Sequence, residues 1–441
     1  METYAIPLED AGGAGRFIVY RPLVGLAFVG NRAMADLALA APPAAEGAPM
    51  EFLRAVGALE PDPPPPGLPG AEFRPTTAVL LLTNQCPLRC TYCYAAAGEL
   101  PRQALTVELG QAAIDHVCET AQALGRPHFE VSFHGGGEPT AAWSVLEACA
   151  AYARRRPLPA RLTLTSNGVW TARQRDWIFA NLDGLSLSLD GAPETQDRQR
   201  PFASGQGSSA RVMATVAALD RRGFPYGIRL TATAPWASLA DDVRFLCAET
   251  GCQSMQVEPA FNTKRGGHGL PDEAEARAFA AAFVEAWEIA NRARRRLMYS
   301  GARVGTATAT FCTAPFGALI VNGLGQLVTC YEVSGPGHRL AGLSTIGRIE
   351  AGRVEVDAAA RARLHALMAG RRSACRDCFC YWSCAGDCYT RTFMSEPDGH
   401  QYRGARCLIN RIVTRHILLT RIAEAGGVWR LPRPAAAALT L

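Results

Sequence analysis

The sequence predicts an α/β protein whose middle is a parallel sheet, with a small α+β extension before it and a cysteine-rich segment after it. Three observations carry this. Six short apolar runs alternate with amphipathic helical stretches between residues 76 and 300. Such alternation calls for parallel strands joined by right-handed crossovers. Three of the 15 cysteines fall within eight residues directly after the first run, and five more lie between Cys375 and Cys388. Finally, the stretch PDPPPPGLPG at residues 61–70 resists both helix and sheet and marks a boundary.

The totals exclude several classes. With 441 residues and 48% hydrophobic content, the chain can bury a large core in two or three domains. Only 19% of residues are charged, which is not a disordered composition. No run of 18 apolar residues appears, so no membrane span is expected. The start, METYAIPLEDAGG, lacks the basic and apolar blocks of a secretory signal, and a cytoplasmic location follows as an expectation. Net charge is +5 without a dense basic block beyond Arg292–Arg296, so no nucleic-acid partner is expected. In a reducing compartment, this many cysteines argue for metal rather than disulfides.

In chain order, residues 1–60 form a first unit. Runs at 16–20 and 25–29 flank a turn at Arg21-Pro22 and read as a hairpin. Asn31 then caps an Ala/Leu-rich helix from Arg32, and a second helical stretch covers 50–59. Residues 61–75 are a stiff linker. The sheet region, 76–300, has strands at 79–83, 128–134, 161–166, 184–190, 226–233 and 254–259. A helix at 106–124 places Ile114, Val117 and Ala121 on one face. Residues 301–425 hold the second cysteine group, and 426–441 read as a tail.

The segment 83–94 reads TNQCPLRCTYCY, placing Cys86, Cys90 and Cys93 in a CxxxCxxC spacing at a strand's end. Three thiolates there can hold three irons of a 4Fe–4S cube and leave the fourth iron open. Zinc wants a fourth ligand, and the next His is His116. A disulfide set fails because three is odd. In these words, and in the aromatic Tyr92, the chain resembles the radical S-adenosylmethionine (SAM) enzymes, whose open iron is chelated by SAM. The resemblance implies a partial (β/α)6 TIM-like radical SAM barrel with active groups at the C-terminal strand ends.

Gly135-Gly136-Gly137-Glu138-Pro139-Thr140 follows the second strand. Glycines let backbone approach a ligand closely, and Glu138 can accept from an ammonium group. Gly136, Gly137, Glu138 and Pro139 resemble the family's GGEP motif, which binds the SAM amino group. Ser166 and Asn167 end the third strand, at the level of SAM's ribose in the family. Alternation on the fourth strand points Ser186, Ser188 and Asp190 inward, and on the fifth Arg229, Thr231 and Thr233. As a set these look like a polar cavity, with Ser188 and Arg229 on the cofactor and Asp190 among the catalytic groups.

Farther on come Cys312, Gly325 and Cys330, then Cys375-x2-Cys378-x5-Cys384-x3-Cys388, then Cys407. This order resembles the family's SPASM extension, a C-terminal iron–sulfur domain with two auxiliary 4Fe–4S clusters. By motif position, Cys375, Cys378, Cys384 and Cys407 would hold the distal cluster. Cys312, Cys330 and Cys388 would hold the proximal one, one thiolate short. Either an iron is open there or Cys380 reaches across. Cys118, Cys149, Cys247 and Cys252 read as small core residues.

The resemblance implies three 4Fe–4S clusters, one SAM-binding and two auxiliary, fed by an external one-electron reductant of flavodoxin or ferredoxin type. A 5′-deoxyadenosyl radical would take a hydrogen from a precursor peptide, and a side-chain crosslink would follow. Glu332 is the expected base, and the hairpin with its helices resembles a leader-peptide-binding module. Two alternatives stand beside this, formylglycine formation of the anaerobic sulfatase-maturase type and peptide epimerisation. Sulfatase maturases typically carry Asp directly after the cysteine matching Cys330, where this chain has Tyr331 and then Glu332. An electron-transfer protein alone would leave the SAM motifs without purpose.

Overall fold

The structure, a computed structural model, describes residues 1–8, 15–40, 46–70, 72–267, 269–395 and 404–431. Its centre is an open sheet of 11 strands. In chain order these are β4 (Thr77–Leu81), β5 (Phe129–His134), β6 (Ala160–Ser166), β7 (Gly184–Ser188), β8 (Tyr226–Ala232) and β9 (Ser254–Pro259), followed by β10 (Arg296–Met298), β11 (Ala318–Val321), β12 (Gln326–Val328), β13 (Thr345–Glu350) and β14 (Arg353–Val356). Their spatial order is β10-β9-β8-β7-β6-β5-β4-β11-β12-β13-β14. All neighbours from β10 to β11 pair in parallel, and the rest are antiparallel. The barrel is therefore not closed.

The six expected strands all form, within a few residues of the expected bounds. Side-chain alternation decides what each face does. On β5, Phe129, Val131 and Phe133 are buried under helices while Glu130, Ser132 and His134 face the other way. On β8, Ile228 and Leu230 are buried and Arg229 is exposed between them. The outer layer packs against helices such as Val107–Ala123, which Thr106 caps by accepting from Leu109 N at 3.3 Å. Ile114, Val117 and Ala121 of that helix are fully buried with Leu80, Val131 and Phe133. Each of the larger side chains among these contributes about 1.5–3 kcal/mol of burial. The inner face, by contrast, is polar.

Strands β10 and β11 extend the parallel run beyond the expected six. Both are short, and Ala318–Val321 is buried at every position, so it offers no alternation to read.

A second sheet has the order β1 (Tyr4–Pro7), β2 (Arg16–Arg21), β3 (Leu26–Asn31) and β15 (Val428–Arg430). The hairpin forms, and Asn31 Oδ1 accepts from Met34 N at 2.9 Å to cap helix Arg32–Ala40. Residues 428–430 are not tail but edge strand, pairing with β3. Ile18, Tyr20 and Ala27 also pack with Leu418, Ile422 and Trp429. The N-terminal unit is thus joined to the C-terminal helix Ala405–Glu424 by a shared core. Residues 61–70 carry neither helix nor strand. The fully buried Arg21 ties their start to the sheet, donating to Ala58 O and Glu60 O at 2.7 Å and to Asp62 Oδ1 at 2.5 Å. Among the described residues no helix is long and apolar enough to cross a membrane.

Candidate active site

The C-terminal ends of β4 to β9 gather the motifs. The loop after β4 carries Cys86, Cys90 and Cys93, and it is held from three sides. Arg89 N and Thr91 N donate to Pro201 O and Gln199 O at 2.7 and 2.9 Å. Arg265 donates to Cys90 O at 2.7 Å and Ala97 O at 2.8 Å, and Gly266 N donates to Cys93 O at 2.8 Å. From β5, Gly137 N and Glu138 N donate to Thr83 O and Gln85 O, both at 2.8 Å. At Gly137 a Cβ would meet Gln85 O at 2.2 Å, so only glycine lets the two loops lie this close.

The cysteines are free thiols, and Cys86 and Cys90 lie in each other's field and in that of Cys93. Burial pushes Cys86 up to about 12 and Cys90 up to about 11. Asn167 Nδ2 reaches Cys86 Sγ at 3.7 Å, and Arg200 Nη1 reaches Cys90 Sγ at 3.9 Å. Three thiols on one loop, faced by a cation and an amide, fit a cluster that needs them deprotonated. The distal four also converge, since Cys384 and Cys407 both feel Cys375 and Cys378. Arg371 donates to Cys375 Sγ at 3.5 Å and Cys407 Sγ at 3.9 Å. Cys312, Cys330 and Cys388 form the separate triplet. Cys380 belongs with the distal set, bonded to Cys378 and beside Cys384, and so does not complete the triplet. Cys118, Cys149 and Cys252 are all buried inside the main core, and Cys247 packs partly buried against it. Among the described residues, no three His, Cys, Asp or Glu side chains gather tightly enough for a single metal ion.

Several expected ligand-binding groups turn out to be occupied within the protein. Glu138 is buried and accepts from Thr140 N, Thr140 Oγ1, Ser166 Oγ and Asn167 N at 3.2, 2.9, 2.7 and 2.8 Å. Burial raises its carboxyl, and these four donors pull it back. Ser166 does not face the cavity. Its hydroxyl also takes Trp170 Nε1 at 2.8 Å and Gly168 N at 3.2 Å, so it props Glu138 and the following turn. Asn167 Oδ1 accepts from Val169 N at 2.9 Å, leaving its amide toward Cys86. Pro139 opens the buried turn Pro139–Ala142, and Gly136 packs against Ser334 of the C-terminal region. Ser188 and Arg229 sit side by side in register on the polar face, as expected.

Asp190 requires a correction. The strand ends at Ser188, so alternation no longer aims Asp190 into the cavity. Its fully buried carboxylate instead accepts from Tyr92 Oη at 2.5 Å, Gln199 Nε2 at 2.9 Å, Thr231 N at 2.9 Å and Arg200 Nη2 at 3.0 Å. A carboxylate so engaged is a structural hub. Glu332, by contrast, is buried beside the triplet. Its backbone N donates to Cys330 Sγ at 3.5 Å, and its carboxylate meets Arg391 at 2.5 Å and Thr390 Oγ1 at 3.1 Å.

Sequence reasoning missed what links the two halves. Tyr94, one residue past Cys93, donates its hydroxyl to Tyr331 O at 3.5 Å. Tyr331, one past Cys330, stacks on His134 with centroids 4.9 Å apart. Burial lowers His134 to about 4, so its ring is neutral near pH 7. Arg200 was also missed, because it follows the short helix Pro193–Gln199, whose buried residues are Thr195, Gln196 and Gln199. A polar buried face leaves no hydrophobic period to read.

Residues 80–234 match the model of the Radical SAM superfamily, and the chain carries a radical SAM domain. Members of that superfamily use SAM and a 4Fe–4S cluster. The chain is 34% identical to GTP 3',8-cyclase 2 of Mycobacterium tuberculosis over 184 residues, 40% of this chain and 48% of that one. It is 25% identical to pre-heme d1 synthase of Dinoroseobacter shibae over 216 residues, 48% and 50% of the two chains. It thus spans about half the length of the curated relatives it matches. Among solved structures it is similar to anSMEcpe with bound AdoMet, with TM-score 0.63 and 15% identity over 79% of this chain and 99% of that one. It is also similar to SuiB of Streptococcus suis bound to precursor peptide SuiA, with TM-score 0.53 and 16% identity over 82% of each. At these identities the likeness shows the fold.

Proposed function

We propose that the chain is a radical SAM peptide maturase that installs a side-chain crosslink on a ribosomally made precursor. The observation that supports this is the Tyr94–Tyr331–His134 contact, which joins the residue after Cys93 to the residue after Cys330. When bound, one SAM-linked and two auxiliary 4Fe–4S clusters would supply reductive cleavage of SAM and a destination for the electron lost by the substrate. The reductant would be a small flavodoxin- or ferredoxin-type protein.

The chain's own residues do the rest. The Gly135–Gly137 backbone, pinned to the cysteine loop, would present strand-end carbonyls to the ammonium group of SAM when it is bound, while Glu138 holds that turn rigid from behind. Ser188 and Arg229 line the side of the cavity across from β5. Tyr94, Tyr331 and His134 wall off water between the two cysteine sets, protecting a reactive intermediate from solvent. Glu332, adjacent to the triplet, takes the proton that leaves as the new bond closes.

The hairpin's own edges are covered by β1 and β15, so a leader strand would add to an outer edge of the four-stranded sheet. Likeness to anSMEcpe keeps formylglycine formation as a second reading. Anaerobic co-expression with a small peptide encoded beside this gene, followed by mass spectrometry, decides. Loss of two hydrogens per event supports the crosslink. Loss of two hydrogens together with exchange of sulfur for oxygen at a cysteine, or loss of two hydrogens confined to a single serine, would mean formylglycine, and altered chirality at constant mass would mean epimerisation.

A further inference from the structure

We infer that Arg200 is a positioning residue that holds a positive charge beside the sulfur of Cys90 and, through Asp190 and Tyr92, latches the cysteine loop to the barrel. The inference rests on the proposal that Cys86, Cys90 and Cys93 hold a cluster.

Arg200 touches the loop in two ways and the segment after β7 in a third. Its Nη1 lies 3.9 Å from Cys90 Sγ, its guanidinium lies 5.3 Å from the centre of the Tyr92 ring, and its Nη2 and Nε lie 3.0 and 2.9 Å from the two Asp190 oxygens. Tyr92, between Cys90 and Cys93, closes the circuit by donating to the same carboxylate. Gln199 extends it, donating to Asp190 Oδ2 and to Thr231 O at 3.0 Å. The network joins the loop after β4, the segment after β7 and strand β8.

Such a pair is expensive for stability alone. The Asp190 side chain is fully buried and that of Arg200 is 10% exposed. Burying two charges costs several kcal/mol per ion, and well-packed apolar residues often serve stability as well or better. Placing the pair against a thiol brings a different gain. The cation is the member that reaches sulfur, and the anion is turned toward Tyr92, Gln199 and Thr231. A cation held 3.9 Å from this sulfur favours addition of an electron to whatever the sulfur binds. Arg265 adds a second cation to the loop, donating to Cys90 O at 2.7 Å.

The test is the one-electron midpoint potential of the full chain after anaerobic reconstitution, read by electron paramagnetic resonance on the signal that SAM addition perturbs. Arg200→Gln lowers the midpoint by at least tenfold in the reduction equilibrium, or 59 mV for one electron. Asp190→Asn leaves the cation unopposed and raises it. The double variant returns toward wild type, and Arg200→Lys restores part of the effect. Tyr92→Phe keeps both charges, so its midpoint stays put while iron loss to a chelator quickens. Two outcomes overturn the inference: an Arg200→Gln protein with full iron and an unmoved midpoint, or both single variants shifting in one direction. Absence of any SAM-perturbed signal in wild type would instead overturn the cluster assignment.

Discussion

Replacing Gly137 with Ala tests whether the contact between the β5 turn and the cysteine loop is needed for binding SAM. The new Cβ would sit 2.2 Å from Gln85 O and 2.7 Å from Asn84 C and Gln85 C. All three are backbone atoms, so no side chain can swing aside. Relief requires separating the loops, which breaks the Gly137 N–Thr83 O and Glu138 N–Gln85 O bonds. Two backbone bonds at about 1 kcal/mol each and overpacking of about 1–3 kcal/mol sum to about 3–5 kcal/mol. If about 3 kcal/mol of this falls on the SAM-competent loop position, affinity drops roughly a hundredfold. Gly136→Ala is the control, since its Cβ meets only the Ser334 side chain at 3.1 Å and Ala95 Cβ at 3.9 Å. Equilibrium dialysis with labelled SAM on the reconstituted protein reads the effect. Wild-type SAM affinity in Gly137→Ala would refute the reasoning.

Three other outcomes are expected. Glu332→Gln keeps size but removes basicity, so 5′-deoxyadenosine still forms while crosslinked product is suppressed; product at the wild-type rate would make Glu332 only a partner of Arg391. Arg21→Met removes the fully buried guanidinium that joins β2 to Ala58, Glu60 and Asp62, at a cost of about 3 kcal/mol. Amide exchange across residues 16–31 should then quicken about a hundredfold, and unchanged exchange would show that Arg21 adds nothing. Anaerobic reconstitution should load iron for about three cubes per chain, whereas one cube with added zinc would make the C-terminal cysteines a zinc site.

What could be read in advance follows from the physics of each element. Strand β4 was legible as a short apolar run, and β5 to β9 because buried and less buried residues alternate and turns bound each run. Strand β15 was not, because Val428–Arg430 is too short for a period and its partner β3 lies at the other end of the chain. The first cysteine group was legible from its spacing on one loop, and the second from its resemblance to the SPASM order. Asp190 stands two residues past the end of β7, where alternation stops predicting direction, whereas Ser166 keeps the alternation of β6 and lies on its buried face with Leu162 and Leu164. Each side chain is buried into a hydrogen-bond network, which leaves no mark on hydropathy. Arg200 and the Tyr94–Tyr331–His134 contact depend on tertiary proximity that no local pattern encodes.

The central claim is that the Cys86, Cys90 and Cys93 loop is where SAM is cleaved. Its most direct test is the triple variant Cys86→Ala, Cys90→Ala, Cys93→Ala, reconstituted anaerobically, reduced, and assayed for both iron and 5′-deoxyadenosine. The account predicts that 5′-deoxyadenosine disappears while about two-thirds of the iron remains on the C-terminal cysteines. Continued 5′-deoxyadenosine formation by the triple variant would contradict it.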